Sequence, residues 1–398
     1  MWGELALIEK QSPFTPGRPV TLELFVGRQR ELERLKRLVS QSFNQQRVEC
    51  AFITGERGIG KSSVAQVLAA QVEFLWNGYT VHSYLGLRAK SLEDAIERIV
   101  TDMLIRARQQ GWWERAKKLL GRFVEKVELG LFGTIVRLHL APEDRRQIVS
   151  DFPAILADSL IQANREGRGW LVILDDLNGI APLPEFAHFI KSLVDSLATS
   201  GQPTPFSLVL VGLPERRDEM MKSQPSIARI FDVIVLSRLE DEFVAEFFRK
   251  AFEDQAGIKV DRDALDAMVK ASGGYPALMH EVGDAVFWAN SDNLVDLDDV
   301  ARGLIAAAEV VGRKYLDRQV YEALRSERYR ELLRQCARIA FSSGGTIRRR
   351  ELKGADNFLR RMVDLAVLKR TSSGEYRFAN ELYMLYALME AETKRRKR

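Results

Sequence analysis

One stretch constrains the fold more than any other part of the chain, the eight residues Gly55-Glu56-Arg57-Gly58-Ile59-Gly60-Lys61-Ser62. It follows the apolar run Ala51–Ile53 and precedes the small and apolar residues Ser63–Leu68. In a glycine-rich loop between a buried strand and a helix, successive backbone N–H groups turn inward, and the positive end of the helix dipole faces the same point. In this context the eight residues predict a loop that binds phosphate groups.

The polar side chains of this loop have separate predicted contacts. Lys61 is expected to reach the β- and γ-phosphates of a nucleotide, and the hydroxyl of Ser62 is expected to bind Mg²⁺. We assign nucleotide contacts to the whole segment from Gly55 to Ser63. An ordinary glycine-rich turn is the alternative interpretation, and the flanking strand and helix patterns argue against it.

A pair of acids forms the second signal. The continuous apolar run Trp170–Leu174 ends in Asp175 and Asp176. Such a run is typical of a central parallel strand whose carboxyl end faces a site. In phosphate-loop enzymes an acid at this place holds the Mg²⁺ shell and a neighbouring acid aligns the attacking water. We therefore assign Asp175 to the metal and Asp176 to catalysis, together with Lys61.

Strands and helices alternate over the first part of the chain. Apolar runs near residues 50, 80, 171, 208 and 233 are separated by helical patterns, and after Arg238 only helices follow until about residue 308. Alternation of this kind predicts a parallel sheet covered by helices. We expect an α/β fold, the P-loop NTPase sheet, followed by a helical lid.

The C-terminal part has a different pattern. Three helical segments, one of them starting at Thr346, precede Val367–Arg370 and Glu375–Phe378, which flank Thr371-Ser372-Ser373-Gly374. Three helices followed by a hairpin describe a winged helix-turn-helix. The predicted domains are an extended N-terminal segment (1–19), the ATPase-type α/β domain (20–238) with a hairpin-like insertion at about 111–150, the lid (239–308), a connector (309–326), the winged helix (327–391) and a basic tail (392–398).

Basic residues are concentrated at the C-terminal end of the sequence. The formal net charge is +4, but residues 313–398 contain 22 Lys and Arg against 11 Asp and Glu, and the rest of the chain has 37 against 44. Such asymmetry is typical of a nucleic-acid-binding module. A solvated basic face is the alternative interpretation.

Eight residues of the predicted winged helix are candidate DNA contacts: Arg348, Arg349, Arg350 and Lys353 in its second helix, Arg360 and Arg361 in its third, and Lys369 and Arg370 on the wing. Only Asn357 offers an amide for base recognition on the third helix, so we expect salt-sensitive binding dominated by the DNA backbone. Alternatively, this domain docks a protein partner or folds back on the ATPase domain.

Other function classes receive no support from the sequence. The N-terminal residues lack the basic segment and apolar core of a signal peptide, and no apolar run approaches the length of a membrane span, so we expect a cytoplasmic protein without a membrane partner. Cys50 and Cys336 are far apart, which argues against a disulfide framework. The four histidines are scattered singly, which argues against a metal cluster.

With these features the chain resembles the AAA+ and STAND branch of P-loop ATPases, especially bacterial and archaeal members that end in a winged helix and are related to the origin-recognition and initiator group. The resemblance covers nearly the whole chain and depends on the order of its motifs, the Walker A loop, the Walker B acids and the C-terminal domain. It implies an ATPase that uses ATP and Mg²⁺. A guanine-reading Asn/Thr-Lys-x-Asp element is absent from the sequence, which also favours ATP.

The resemblance assigns further residues to the nucleotide site. Val26, Gly27 and Arg28 look like the adenine-side element, and Pro276 looks like the lid residue that touches the base. Arg229 is similar in position to the arginine that a neighbouring subunit offers to the γ-phosphate, which implies a homo-oligomer. For Pro276 a plain helix-helix turn is the alternative, and for Arg229 a surface arginine.

Three departures from the family pattern favour a slow switch over a fast motor. The position of the catalytic glutamate holds Asp176, the fourth strand ends in Gly212 instead of a polar residue, and no arginine follows Pro276 in the first turn. We therefore expect an ATP-binding, slowly hydrolysing ATPase whose nucleotide state controls DNA binding or assembly. The rival hypothesis is a signalling scaffold whose output is oligomerisation. A small-molecule kinase is disfavoured because a lid and a winged helix stand where an acceptor site would be needed.

Overall fold

The structure is a computed structural model that describes residues 10–109, 111, 113–114, 118, 127–129, 136–138, 142–322 and 325–396. The chain forms two compact units. The first unit comprises residues 28–237, and the second combines the residues up to Gly27 with those from Arg238 onward.

The first unit is built on a five-stranded sheet. In chain order the strands are β1 (Val48–Gly55), β2 (Tyr79–Tyr84), β3 (Val127–Leu129), β4 (Val136–Leu138), β5 (Trp170–Asp175), β6 (Phe206–Gly212) and β7 (Phe231–Leu236). The order across the sheet is β2-β5-β6-β1-β7, and all neighbouring pairs are parallel. The predicted five-stranded parallel sheet is confirmed.

Helices cover both faces of this sheet, as a parallel sheet requires. They span Gln29–Gln45, Lys61–Trp76, Leu92–Gln109, Pro142–Arg165, Pro184–Ala198 and Pro214–Ser223, and a 3₁₀ helix spans Pro225–Arg229. Every residue of β5 and β6 is buried. The largest fully buried side chains here include Phe52, Trp170 and Phe206, which all belong to strands of the sheet.

Strands β3 and β4 form the hairpin of the predicted insertion. They pair antiparallel, with Val127 opposite Leu138. The sequence pattern predicts two strands, at 123–129 and 134–140, and a helix from about residue 152. Residues 123–126, 134–135 and 139–140 of these strands lie outside the described residues. The predicted start of the helix is wrong, because the helix begins at Pro142 and continues through Pro153. Proline usually marks a helix start, and here it lies inside the helix.

The second unit contains the helices that the sequence predicts to form a lid. Its helices span Asp241–Arg249, Arg262–Ser272, Pro276–Ala289 and Leu297–Val311; the first continues as π helix Lys250–Gln255 and the last as π helix Gly312–Tyr321. Two short parallel strands, β8 (Lys259–Val260) and β9 (Leu294–Val295), join the loops between them. The helix after β9 starts at a capping box in which Asp296 and Asp299 satisfy each other's backbone N–H groups.

The N-terminal segment packs against this lid. Phe14 is 4% exposed and lies 5.0 Å from Phe252 and 5.8 Å from Phe247, measured between ring centroids. Thr15 donates its backbone N–H to Nδ1 of His280 at 3.1 Å. Burial of His280 lowers the pKa of its imidazole to about 4, so the ring is neutral and able to accept this bond at physiological pH.

The C-terminal residues form helices Glu327–Ser342, Asp356–Asp364 and Glu381–Arg396 with the strands β10 (Ile347–Arg348), β11 (Leu368–Ser372) and β12 (Glu375–Phe378). The strands make an antiparallel sheet in the order β10-β12-β11, so the predicted hairpin is confirmed. The helix predicted from Thr346 is wrong, because Arg348 pairs with Glu375 in the sheet and only a 3₁₀ turn follows. In the part of the chain that the structure describes, no helix is long and apolar enough to cross a membrane.

We predict that Phe14→Ala lowers the free energy of unfolding of the second unit by about 3–4 kcal/mol, because it empties a buried aromatic site. Phe74→Ala is the matched control, since Phe74 is 88% exposed and its truncation leaves no cavity. Urea unfolding monitored by circular dichroism measures both variants. Equal stability of the two variants would show that the N-terminal segment does not belong to the lid core.

Candidate functional site

The glycine-rich loop connects β1 with the helix Lys61–Trp76, as the sequence predicts. Gly58 and Gly60 have φ angles of 77° and 94°, in the region that favours glycine. At Gly55 a Cβ atom would lie 2.6 Å from the carbonyl oxygen of Leu236 on β7. The loop therefore needs glycine both for its turn and for its close approach to the neighbouring strand.

Lys61 is held inside the loop. Its Nζ donates hydrogen bonds of 2.8 Å to the carbonyl oxygens of Gly55 and Glu56. Burial lowers the pKa of the Lys61 ammonium to about 8, and the nearby carboxylates of Asp175 and Asp176 oppose this shift. The loop thus contains a cation that has lost much of its hydration and that an anion would stabilise.

Asp175 ends β5 and is 2% exposed. One carboxylate oxygen, Oδ1, accepts the backbone N–H of Asp176 at 2.7 Å, and the other, Oδ2, lies 3.1 Å from Nε2 of His82. In the sheet, β6 lies between β5 and β1, so the carboxyl ends of β5 and β1 are about 10 Å apart. This separation places Asp175 at the same edge of the sheet as the loop.

The carboxylate of Asp176 is held by two donors. Its Oδ2 accepts the hydroxyl of Tyr84 at 2.6 Å, and its Oδ1 accepts the side-chain amide of Asn178. Asp176 has a φ angle of 55°, which is uncommon for a residue other than glycine. Burial of the Tyr84 hydroxyl and its bond to Asp176 raise the pKa of Tyr84 to about 12. The tyrosine therefore remains a hydrogen-bond donor over the whole physiological range.

Sequence reasoning missed His82 and Tyr84. Both lie on β2, two residues apart, and Tyr84 is paired with Asp175 across the sheet. The signal that could have found them is the two-residue period of a strand, which directs both side chains to one face of the sheet at the edge where β5 ends. In the sequence, His82 is one of four histidines that are scattered singly.

The end of β6 differs from the family pattern in the way the sequence suggests. Gly212 is paired with Thr54 of β1, and its neighbour Val211 is paired with Asp175. No polar side chain can therefore reach the site from Gly212. In the described part of the chain, the hydroxyl oxygen of Thr54 is buried and has no hydrogen-bond partner. This orphaned oxygen lies directly before the glycine-rich loop.

Together these groups fit a magnesium nucleotide. Lys61 supplies positive charge for phosphate oxygens, and Asp175 supplies the carboxylate oxygen that Mg²⁺ prefers. Ser62 and Ser63 are the second and third residues of the helix that follows the loop, and both are partly exposed. The nucleotide contacts of the loop backbone and of four side chains remain predictions: Glu56, Arg57, Ser62 and Ser63.

The remaining predicted nucleotide contacts are divided between the two units. Val26, Gly27 and Pro276 belong to the second unit, where Val26 is 5% exposed and Pro276 is the first residue of its helix. Arg28 belongs to the first unit and is 4% exposed. Its guanidinium donates to the carbonyl oxygens of Ile59 and Ser237 and pairs with Glu31.

Arg229 is exposed at the end of the 3₁₀ helix before β7. Strand β7 starts opposite Cys50 and ends opposite Gly55. The amino and carboxyl ends of β7 are five residues apart, which is about 17 Å at about 3.3 Å per residue. Arg229 therefore lies at the opposite edge from the glycine-rich loop of its own chain.

The eight basic residues predicted to contact DNA are all exposed. Arg349 makes two hydrogen bonds of 2.6 and 2.7 Å to the carboxylate of Asp356, and Arg348 lies 3.5 Å from a carboxylate oxygen of Glu375. Within the described residues, no carboxylate lies within ion-pair distance of the following four: Arg350, Lys353, Arg360 and Arg361.

A groove of about 660 Å³ lies between the 3₁₀ turn after β10 and the β11–β12 turn. Its lining includes Arg350 and Lys353 together with Ser373 and Gly374 of the turn. Neither cation is neutralised by a carboxylate in the described part of the chain. The groove therefore offers net positive charge to an anionic partner.

The parallel sheet, the glycine-rich loop and the acid pair define a P-loop NTPase. Residues 24–211, a little under half of the chain, match the family model described as AAA ATPase domain. This segment contains the loop and both acids. Over residues 24–211 the chain is therefore similar to the AAA ATPase domain.

The whole chain is similar in fold to two solved archaeal proteins. The Walker-type ATPase PABY2304 of Pyrococcus abyssi is 15% identical, with a TM-score of 0.55 over 93% of this chain and 98% of that chain. The ORC2 protein of Aeropyrum pernix, in ADPNP–ADP complexes, is 14% identical, with a TM-score of 0.59 over 96% of this chain and 97% of that chain. At these identities the similarity shows the fold alone. A comparison with curated protein sequences returned no match.

We predict that Lys61→Met makes the protein more stable at pH 7 in the absence of nucleotide. Folding lowers the pKa of Lys61 from 10.5 to about 8. The buried charge of Lys61 therefore lowers the free energy of unfolding by its full amount below pH 8. This cost disappears as the pH rises toward 10.5. Removing this cost is expected to add about 1–3 kcal/mol to the free energy of unfolding, reduced by the loss of one partly buried and one exposed hydrogen bond.

Urea unfolding between pH 7 and pH 10.5 tests this prediction. The wild type should gain stability over that interval, and the variant should show a flatter profile. ATP with Mg²⁺ should raise the unfolding midpoint of the wild type only. If the variant were less stable than the wild type at pH 7, the prediction that the charge of Lys61 destabilises the folded protein would be contradicted.

Proposed function

We propose that this AAA+ ATPase is a nucleotide-controlled switch that binds DNA through its C-terminal residues and hydrolyses ATP slowly. The observation that carries the proposal is the group of four exposed cations without a carboxylate partner, Arg350, Lys353, Arg360 and Arg361, in a chain whose other end binds nucleotide. Two neighbouring arginines, Arg348 and Arg349, are already neutralised by Glu375 and Asp356. Between Arg349 and Asp364, these four are the described cations that have no carboxylate within ion-pair distance.

Several features support DNA as the anionic partner. The C-terminal elements have the helix and hairpin order of a winged helix, a fold that places one helix in a groove of duplex DNA and the hairpin against its backbone. Arg360 and Arg361 lie on the helix Asp356–Asp364, and Lys369 and Arg370 lie on β11. Contacts of this kind reach phosphates and give little sequence discrimination. A protein partner at the same face is the competing outcome.

The proposed hydrolysis depends on the two acids. In this proposal Ser62 and Asp175 hold Mg²⁺, which would neutralise developing charge on the phosphates. Asp176 aligns the attacking water, but its carboxylate is occupied by Tyr84 and Asn178. Water can be aligned only if one of these bonds is exchanged, which supports a slow rate.

Arg229 fits a role in a neighbouring subunit. Because it lies at the other edge of the sheet from its own phosphate loop, it cannot contact a γ-phosphate bound there. We propose that, in an oligomer, Arg229 approaches the nucleotide of the next copy of the chain. This arrangement would make hydrolysis depend on assembly.

We predict that the double variant Arg350→Glu with Lys353→Glu loses DNA affinity in the same way for unrelated duplexes. Each phosphate contact removed should reduce the slope of log K against log salt concentration by about 1. Arg30→Glu with Arg37→Glu is the matched control, because both arginines are exposed on the helix Gln29–Gln45 and the change in charge is the same. Fluorescence anisotropy with labelled duplex measures both.

Two results would contradict the proposal. Equal losses in the two double variants would mean that only the net charge matters. Absence of DNA binding by the wild type, with ATP and with ADP, at low salt would favour a protein partner and an assembly role instead.

A further inference from the structure

The polypeptide passes between its two compact units at two peptide bonds, Gly27–Arg28 and Ser237–Arg238. Arg28 is the first residue of the first unit, and Ser237 is its last. Nη2 of Arg28 donates a hydrogen bond of 2.6 Å to the carbonyl oxygen of Ser237. A single side chain therefore ties the entry of the chain into this unit to its exit.

The same guanidinium also contacts the phosphate loop. Nη2 of Arg28 donates to the carbonyl oxygen of Ile59 at 3.2 Å, and Nη1 lies 3.1 Å from a carboxylate oxygen of Glu31. The side chain of Ile59 is itself 1% exposed. Arg28 thus joins the phosphate loop directly to the residue at which the chain leaves the unit.

The contacts of Arg28 need an arginine. Its guanidinium has several N–H donors in a rigid plane, whereas an ammonium is a compact point charge. A lysine is shorter and has a single nitrogen, so it cannot donate to all three acceptors of Arg28, the carbonyl oxygens of Ile59 and Ser237 and the carboxylate of Glu31. Burial lowers the pKa of Arg28, and Glu31 opposes this shift, so the acceptors compensate for lost hydration.

The surroundings of the loop leave little freedom for independent movement. Gly55, the first residue of the loop, is paired with Leu236, the residue directly before Ser237. A Cβ atom at Gly55 would lie 2.6 Å from the carbonyl oxygen of Leu236, so the two backbones are in close contact. A shift of the loop backbone at Ile59 would therefore also move the backbone at the end of β7.

We propose that Arg28 is a positioning residue that couples the phosphate loop to the segment through which the chain leaves the first unit. When phosphates bind and the loop adjusts, the bond between Arg28 and the Ser237 carbonyl changes with it. The resemblance had placed Arg28 beside the adenine, and the contacts above give it a different task. The proposal rests on nucleotide binding at the loop and does not require DNA.

Hydrogen exchange of the full chain tests the coupling. In the wild type, a non-hydrolysable ATP analogue with Mg²⁺ should slow exchange both in the loop, residues 55–62, and in the segment 236–240. Arg28→Lys keeps the charge, and it should retain the loop response but lose the response of 236–240. Its affinity for the analogue should fall about tenfold, as for the loss of one charge-assisted hydrogen bond.

Arg34→Lys is the matched control. Arg34 is exposed and pairs with Asp232 on β7, but it does not contact the loop in the described structure. Both of its responses should match the wild type. A conserved response of 236–240 in the Arg28→Lys protein would overturn the proposal.

The wild-type measurement decides by itself if Arg28→Lys fails to fold, as judged by circular dichroism. A response confined to residues 55–62 would overturn the proposal, and a response in both segments would support it. No DNA is present in this experiment. Failure of DNA binding and failure of the coupling can therefore be told apart.

Discussion

The parallel direction of the five strands is the constraint on which the site depends. Because all strands run the same way, the phosphate loop after β1 and the acids after β5 lie at one edge of the sheet. The same geometry places Arg229, which precedes β7, at the other edge. The parallel topology therefore places the phosphate loop and the two acids at one end of the strands and Arg229 at the other.

Buried and partly buried charged side chains lie at the carboxyl ends of these strands. Lys61 has lost hydration, which lowers its pKa, and two carboxylates stand close enough to compensate in part. Asp175 is almost fully buried and Asp176 accepts two hydrogen bonds. In a bound magnesium nucleotide, the phosphates would balance the positive charge of Lys61, and Mg²⁺ would balance the negative charge of the carboxylates. Ligand binding and stability are linked in such a site, because burial of the charges costs free energy until the ligand arrives.

The sequence allowed us to predict the elements with strong local signals. The five strands, the loop and the acid pair follow from apolar runs, glycine spacing and the position of Asp175 after a buried strand. The contacts of His82, Tyr84 and Arg28 could not be predicted in this way, because they join residues far apart in sequence. Likewise, the neutralisation of Arg349 by Asp356 depends on how two short elements pack. The helix predicted from Thr346 failed because pairing in a three-stranded sheet overrode a weak local pattern.

In the function proposed above, nucleotide binding and DNA binding are coupled. Thermodynamic linkage requires that, if ATP changes the affinity for DNA by some factor, DNA changes the affinity for ATP by the same factor. The most direct measurement is therefore titration of the wild type with ATP and with ADP, each with and without saturating duplex DNA at low salt. We predict that DNA shifts the ratio of the two nucleotide affinities. An unchanged ratio, with DNA bound, would contradict the account.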